Sequence, residues 1–214
     1  MYIPAQFLEE RPEVLSAFIR KHPLGTLIAL SPEGLTANHV PMLWSEAAGA
    51  RGVLRGHVAR ANPVWQALTC DSPVLVVFHG ASRYISPSWY PAKQEHGKVV
   101  PTWNYSVVHA QGTIRFLDDP HRALEAVTTL TSAMESSREA PWQVSDAPAP
   151  YIDALVRQIV AFEISVTRIV GKFKASQHRP DSERERVAAA LNDSGVVPAD
   201  LDEVVRSPRP STAG

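Results

Sequence analysis

Hydrophobic and polar positions alternate in several short runs of this 214-residue chain, and the alternation predicts β-strands. From position 24, the runs LGTLIAL, LTANHVPMLW and GVLRGHV follow one another, separated by the turn-forming sequences SPEG and EAAGARG. This order predicts a three-stranded antiparallel meander. Three later runs, PVLVVFHG, VVPTWNYSVVHAQGTIRFL and AFEISVTRIVGKFKAS, predict further strands, and Gly112 predicts a bend or a close backbone approach in the second of them.

Apolar residues recur at helical spacing in the segments around these strands. The segment RPEVLSAFIRKHPLG predicts an amphipathic helix, and DDPHRALEAVTTLTSAMES predicts a longer one capped by Asp118 or Asp119. YIDALVRQIV and DSERERVAAALNDSG predict two more helices, and RANPVWQAL a short one that starts at Asn62. Because strands and helices do not alternate as βαβ units, the pattern predicts an α+β fold, a small β-barrel with covering helices.

Composition narrows the functional classes. A hydrophobic content of 44% suits a globular core, and a net charge of -1 gives none of the basic excess typical of nucleic-acid or membrane binding. The single cysteine, Cys70, excludes an internal disulfide and a cysteine-based zinc site, and the scattered histidines predict no metal site. The N-terminal sequence lacks a basic region followed by an apolar run, and no apolar run reaches membrane-spanning length, which predicts a cytoplasmic protein without a membrane partner.

Aromatic residues are concentrated between positions 84 and 105, which hold two of the five tryptophans and three of the five tyrosines. Either they form barrel core and a dimer interface, or they line a groove for a flat ligand such as a flavin. Trp103 and Asn104 are neighbours on a predicted strand, so their side chains should point to opposite faces.

Cationic residues form two candidate sites for an anion. In LRGHVARANP, Arg55 and His57 share a strand face and Arg60 comes just before a predicted helix start. In GKFKASQHR, Lys172 and Lys174 share one face of the last strand, and further donors follow at its exit. We therefore predict an anion clamp formed by Arg60, assisted by His57 and by Lys172 or Lys174.

Several long motifs occur in order along almost the whole chain: MYIPAQF, GHVARANPVW, YISPSWY, VPTWNYSVVHAQG and RIVGKFKASQHR. In these motifs the chain resembles the PaiB-type FMN-binding negative transcriptional regulators, whose fold is related to the split barrels of flavin reductases and pyridoxamine phosphate oxidases. The resemblance implies bound FMN and a homodimer with a flavin site where two barrels meet. The chain departs from the family at Ala81, where Gly-Pro is usual, and at His178, where Asn is usual.

These observations give a specific set of expectations. Residues 1–180 should form the FMN-binding split-barrel domain, and residues 181–214 a helical extension with a loose tail. The function is expected to be that of a PaiB-like negative transcriptional regulator, the alternative being a flavin-dependent oxidoreductase that acts on a small molecule, and the sequence does not decide whether the protein is an enzyme. The expected cofactor-binding residues are His57, Arg60, Ser86, Trp103, Asn104, Lys172, Lys174 and Gln177.

One segment near the C-terminal end has the outline of a DNA-binding element. VAAALNDSGVVPADLDEVV has the outline of a helix-turn-helix with Gly195 in the turn. Its second helix would carry Asp200, Asp202 and Glu203, whereas a recognition helix approaching phosphates needs positive charge. Direct DNA binding is therefore disfavoured, and a regulator of this kind would act through another protein or through a weak DNA contact.

Overall fold

The computed structural model describes residues 1–46 and 51–193, with side chains as far as Leu191. Its strands are β1 (Leu8–Glu9), β2 (Leu24–Ser31), β3 (Gly34–Pro41), β4 (Leu43–Ser45), β5 (Val53–Ala59), β6 (Ser72–Ile85), β7 (Thr102–Leu117) and β8 (Ile159–Lys174). Its helices are α1 (Pro12–Lys21), α2 (Val64–Ala67), α3 (Ala92–Glu95), α4 (Pro120–Glu135), α5 (Ala149–Val156) and α6 (Asp181–Asp193). No helix within these ranges has the length and apolar character needed to cross a membrane.

The strands form one sheet in the order β3-β2-β6-β7-β8-β5-β4, and β1 pairs with β8 in addition. β2 and β3 form an antiparallel hairpin around the predicted SPEG turn. β5 lies antiparallel to β4 on one side and to β8 on the other. The mixture of this sheet with separate helices confirms the predicted α+β class.

The predicted three-stranded meander is confirmed only in part, since β2 pairs with β3 and β4 pairs with β5, both antiparallel, but its middle run forms two strands. β5 is hydrogen-bonded to β4 and β8, whereas β3 lies at the opposite end of the strand order. The run LTANHVPMLW is divided into β3 and β4 at Pro41 and Met42, since proline offers no N–H to continue a ladder. The chain therefore leaves one end of the sheet at this point and joins the other.

Other boundaries differ because long-range pairing overrides local pattern. Helix α5 ends at Val156 although the predicted helix runs to Val160, because Ile159 and Val160 pair with β5. The predicted cap of α4 is confirmed at Asp119, whose side chain accepts a hydrogen bond from the backbone N–H of His121 at 2.9 Å.

The chain divides into two compact units, and each is described by itself. Unit 1 contains Met1–Leu15, His79–Val108 and the described residues from Val170 on, whereas unit 2 contains Ser16–Phe78 and His109–Ile169. Helix α6, predicted as an extension, belongs to unit 1. The tail predicted beyond it, like the second helix of the helix-turn-helix outline, lies outside the described residues.

Each unit has its own apolar packing. In unit 2, side chains from several strands are fully buried, among them Leu27, Val76, Ile114 and Ile164. In unit 1, Ile85 and Tyr90 pack with Val187 and Leu191 of α6. The close backbone approach predicted at Gly112 is confirmed in unit 2, because a β-carbon there would lie 2.2 Å from the carbonyl oxygen of Ser165.

Candidate functional site: a lysine cluster in unit 1

Two lysines near the end of β8 lie among aromatic and hydroxyl side chains of unit 1. The ammonium group of Lys172 donates to the carbonyl oxygen of Tyr2 at 3.1 Å and lies 5.5 Å from the ring centre of Tyr105. The ammonium group of Lys174 donates to the hydroxyl of Thr102, and to the carbonyl oxygen of Trp103 at 2.9 Å. We call Tyr2, Thr102, Tyr105, Lys172 and Lys174 the lysine cluster.

Strand geometry accounts for this arrangement. Lys172 and Lys174 are two residues apart on β8, so their side chains project from the same face, as predicted. Thr102, Trp103 and Tyr105 come from the first residues of β7, its neighbour in the sheet. The lysine cluster therefore lies at the ends of β7 and β8 that belong to unit 1, where these two strands are neighbours in the sheet.

The charge of the lysine cluster is not neutralised by carboxylates. Partial burial lowers the pKa of Lys174, and the like charge of Lys172 lowers it further. Within residues 1–46 and 51–193, neither lysine forms an ion pair with an acidic side chain. Two adjacent cations without a counter-charge are suited to holding an anion such as a phosphate group.

Large aromatic side chains of unit 1 are exposed around these cations. Trp103 is 54% exposed and Tyr84 is 47% exposed, and their ring centres lie 6.1 Å apart in an edge-to-face arrangement. Tyr2, which contributes to the lysine cluster, is 82% exposed. Exposed rings of this size are suited to contact a flat ligand or a second protein surface.

Asn104 lies on the other face of β7, which confirms the predicted opposition to Trp103. Asn104 is 0% exposed, and its amide makes two hydrogen bonds with the hydroxyl of Ser176, at 3.0 and 3.1 Å. Ser176 has a φ of 62°, a left-handed conformation that is unfavourable for serine. Asn104 therefore holds the turn that follows Lys174, and any effect on a ligand would pass through that turn.

The remaining unit 1 candidates also serve the local backbone. The side-chain amide of Gln177 donates to the carbonyl oxygens of Phe173 and Gln6, and its oxygen accepts from the backbone N–H of Ala175 at 2.7 Å. Ser86 caps the short 3-10 turn Pro87–Trp89 by accepting from the N–H of Ser88 at 3.2 Å. Gln177 therefore shapes the exit of β8, and Ser86 shapes the exit of β6.

Arg60 lies in unit 2, where its guanidinium group has a counter-charge. It donates to the carboxylate of Asp118 at 2.6 Å and to the carbonyl oxygen of Arg157 at 2.8 Å. The hydrogen bond with Arg60 lowers the pKa of Asp118. An anion at Arg60 would therefore compete with a carboxylate of the chain itself.

His57, also in unit 2, shares a strand face with Arg55 as predicted and is half-buried. Burial lowers the pKa of His57, which favours the neutral imidazole. Its Nδ1 atom is buried and has no hydrogen-bond partner in the described part of the chain. His57 therefore offers a polar group, without a full positive charge, at a place where the protein leaves it unpaired.

The strand order, the exposed aromatic side chains and the lysine cluster together define the class of protein. It is a split barrel of α+β type with covering helices. A solved structure of the FAD and heme binding protein from Mycobacterium smegmatis has this fold, with a TM-score of 0.57 at 16% identity, over 85% of this chain and 79% of that chain.

The family follows from sequence comparison. Residues 1–168 match the family described as "Putative FMN-binding domain". An uncharacterized protein of Emericella nidulans is 33% identical over 91% of this chain and 92% of its own length. The protease synthase and sporulation protein PAI 2 of Bacillus subtilis is 30% identical over 89% of each chain. The chain belongs to this PaiB-type FMN-binding family, and FMN is the cofactor that membership indicates.

The residues of unit 1 fit this cofactor. FMN needs cations for its phosphate and an aromatic or apolar surface for its ring. The lysine cluster supplies two cations without a carboxylate, and Tyr84 and Trp103 supply exposed rings in the same unit.

Sequence reasoning missed three features of the site. Tyr2 was not singled out, because nothing in the pattern places the first residues of the chain beside β8. The left-handed turn at Ser176 was missed because serine gives no signal for that conformation. The ion pair between Arg60 and Asp118 had one available signal: two aspartates precede Pro120 and only one of them can cap α4.

Proposed function

We propose that this protein is a homodimeric FMN-binding flavoprotein that acts as a negative transcriptional regulator, with the FMN phosphate held by Lys172 and Lys174. One observation carries the proposal: Lys172, whose ammonium group lies over the ring of Tyr105, and Lys174, on the same strand face, have no carboxylate partner among the described residues. When bound, FMN supplies redox chemistry that the side chains of the protein lack.

Phosphate binding by the lysine cluster has a physical basis. A charge-assisted hydrogen bond contributes about 1.5–3 kcal/mol, and a dianionic phosphate would offset the burial and, to a smaller extent, the like charge of Lys172 that lower the pKa of Lys174. Arg60 is less suited to this role, because Asp118 already occupies its guanidinium group.

Support for the dimer comes from the surface of unit 1. Tyr2, Tyr84 and Trp103 are all exposed in the single chain, and large aromatic residues are enriched at protein interfaces. A two-fold dimer is the commonest homo-oligomer and would cover such a surface. Light scattering of the purified protein at micromolar concentration should give twice the mass of the chain, and a monomer would contradict this part of the proposal.

Two observations support the regulatory role: the name of a relative and the acidic character of helix α6. The name of the Bacillus subtilis relative refers to protease synthesis and sporulation. Helix α6 has four acidic and two basic residues, and Val187 and Leu191 are buried in unit 1. Because this helix is acidic and anchored by its apolar face, we propose that regulation acts through a protein partner or a weak DNA contact.

A paired experiment tests the role. FMN-loaded protein is titrated anaerobically with NADH and with NADPH while flavin absorbance is followed, and its binding to its own upstream DNA region is measured at physiological salt. The proposal predicts slow or absent bleaching, together with either a weak DNA shift or a shift that needs a protein partner.

Two other outcomes would reject it. Fast bleaching without any DNA shift would identify a flavin-dependent oxidoreductase instead. Loss of all flavin absorbance after loading and desalting would reject the cofactor itself.

A further inference from the structure

A groove in unit 2 is lined by none of the residues predicted to bind FMN. It encloses about 600 Å³ and runs along α4 over strands β4, β5 and β8. Helix α4 contributes residues spaced three or four apart between Arg122 and Met134, a stretch of about 18 Å at 1.5 Å per residue. We call this the α4 groove, and its length suits an elongated ligand.

The floor of the α4 groove is mainly apolar. Leu43, Phe162 and Met134 line it together with the alanines at 126, 133 and 161. Pockets for small ligands are mostly apolar with a few polar groups that fix orientation, and they typically enclose about 300–1,000 Å³. The α4 groove has both properties.

Most polar side chains that line the groove already have partners within the protein. Glu163 accepts from Arg55 at 2.7 Å and from Arg115 at 3.2 Å, and these hydrogen bonds lower its pKa. Arg122 pairs with Glu125 at 2.9 Å. The lining hydroxyls of Thr129 and Ser136 donate to backbone carbonyls of α4.

Arg20 is the exception. Its guanidinium group donates to the hydroxyl of Ser16 at 2.9 Å and has no carboxylate partner among the described residues. Because a guanidinium group has five N–H donors, several remain for a ligand. The lining thus contains three arginines and two glutamates, and the surplus positive charge belongs to Arg20.

We propose that the α4 groove binds a small carboxylate with an unbranched acyl chain, the carboxylate at Arg20 and the chain along α4. The charge of Arg20 is complementary to a carboxylate, and the apolar floor is complementary to the chain. This site is independent of the proposed FMN site, so either could fail without the other.

Calorimetric titration of FMN-loaded protein with octanoate tests the proposal, with 1-octanol as the neutral probe. Arg20→Gln should weaken octanoate binding about 10- to 100-fold, the loss of one charge-assisted hydrogen bond, and leave octanol binding unchanged. Lys21→Gln is the matched control, since it removes a neighbouring exposed cation that does not line the groove. Ala133→Phe, at an exposed position of α4, should fill the groove and abolish binding of both probes.

Three results would overturn the proposal. One is equal octanoate affinity in the Arg20 and Lys21 variants, and another is unchanged binding in the Ala133 variant when circular dichroism shows that it is folded. The third is a change from dimer to monomer on adding octanoate or on Ala133→Phe, because a second copy of the chain would then cover the groove.

Discussion

The buried pair Asn104 and Ser176 yields a prediction in which the effect of one substitution on stability changes sign with the residue at the other position. Asn104→Ala leaves the hydroxyl of Ser176 buried without its partner, which costs about 1–3 kcal/mol, and opens a small cavity that costs about 1 kcal/mol. Both side chains are almost fully buried, so water cannot replace the lost bonds. The free energy of unfolding should fall by about 2–4 kcal/mol.

Ser176→Gly has opposite effects in the two backgrounds. In the wild type it leaves the Asn104 amide unpaired, at about 1–3 kcal/mol, while glycine relieves the left-handed strain by about 1 kcal/mol. The net result is a loss of about 0–2 kcal/mol. In the Asn104→Ala background the same change removes both the orphaned hydroxyl and the strain, so it should stabilise the protein by about 2–4 kcal/mol.

Urea unfolding followed by tryptophan fluorescence measures all four proteins of this cycle. The midpoints should shift while the dependence on urea stays constant, which identifies changes in stability alone. If Ser176→Gly changes the free energy of unfolding equally in both backgrounds, the two residues are not coupled and the assigned hydrogen bonds are wrong.

Three further predictions concern other parts of the chain. Gly112→Ala should lower the free energy of unfolding by about 1–3 kcal/mol or prevent folding, because its β-carbon would overlap a backbone carbonyl; thermal unfolding measures this. Asp118→Asn should leave FMN affinity unchanged in fluorescence titration, and a gain would place Arg60 in the clamp. Burial lowers the pKa of His57 and His178, so below about pH 6.5 the unfolded chain binds more protons than the folded protein. The free energy of unfolding, measured in urea titrations, should therefore be highest above that pH and decrease below it. The decrease should be less steep in His178→Asn.

Local pattern was sufficient wherever a feature depended on strand alternation or on a single turn. It placed Lys172 and Lys174 on one face, set Trp103 against Asn104, and located the β2–β3 hairpin. These features depend on the two-residue period of a strand, which the sequence displays directly.

Features that depend on distant partners could not be obtained in this way. The pairing of β5 with β8 joins segments about a hundred residues apart, and many strands in the chain would have been equally plausible partners. The same holds for Arg60, whose cationic segment suggested an anion site until Asp118 and two backbone carbonyls were found beside it. A charge in a sequence does not reveal whether the fold has already neutralised it.

The central claim, that the lysine cluster holds the FMN phosphate, is tested most directly by comparing FMN with riboflavin. Both share the flavin ring, and only FMN carries the phosphate. Affinities are measured by flavin fluorescence quenching for the wild type, Lys172→Gln, Lys174→Gln and the control Lys98→Gln, which removes an exposed cation elsewhere in unit 1.

Loss of one charge-assisted hydrogen bond should weaken FMN binding about 10- to 100-fold in each variant of the lysine cluster. Riboflavin affinity should remain at the wild-type value in both, and Lys98→Gln should alter neither ligand. Equal weakening of FMN and riboflavin, or FMN affinity unchanged in both cluster variants, would contradict the assignment.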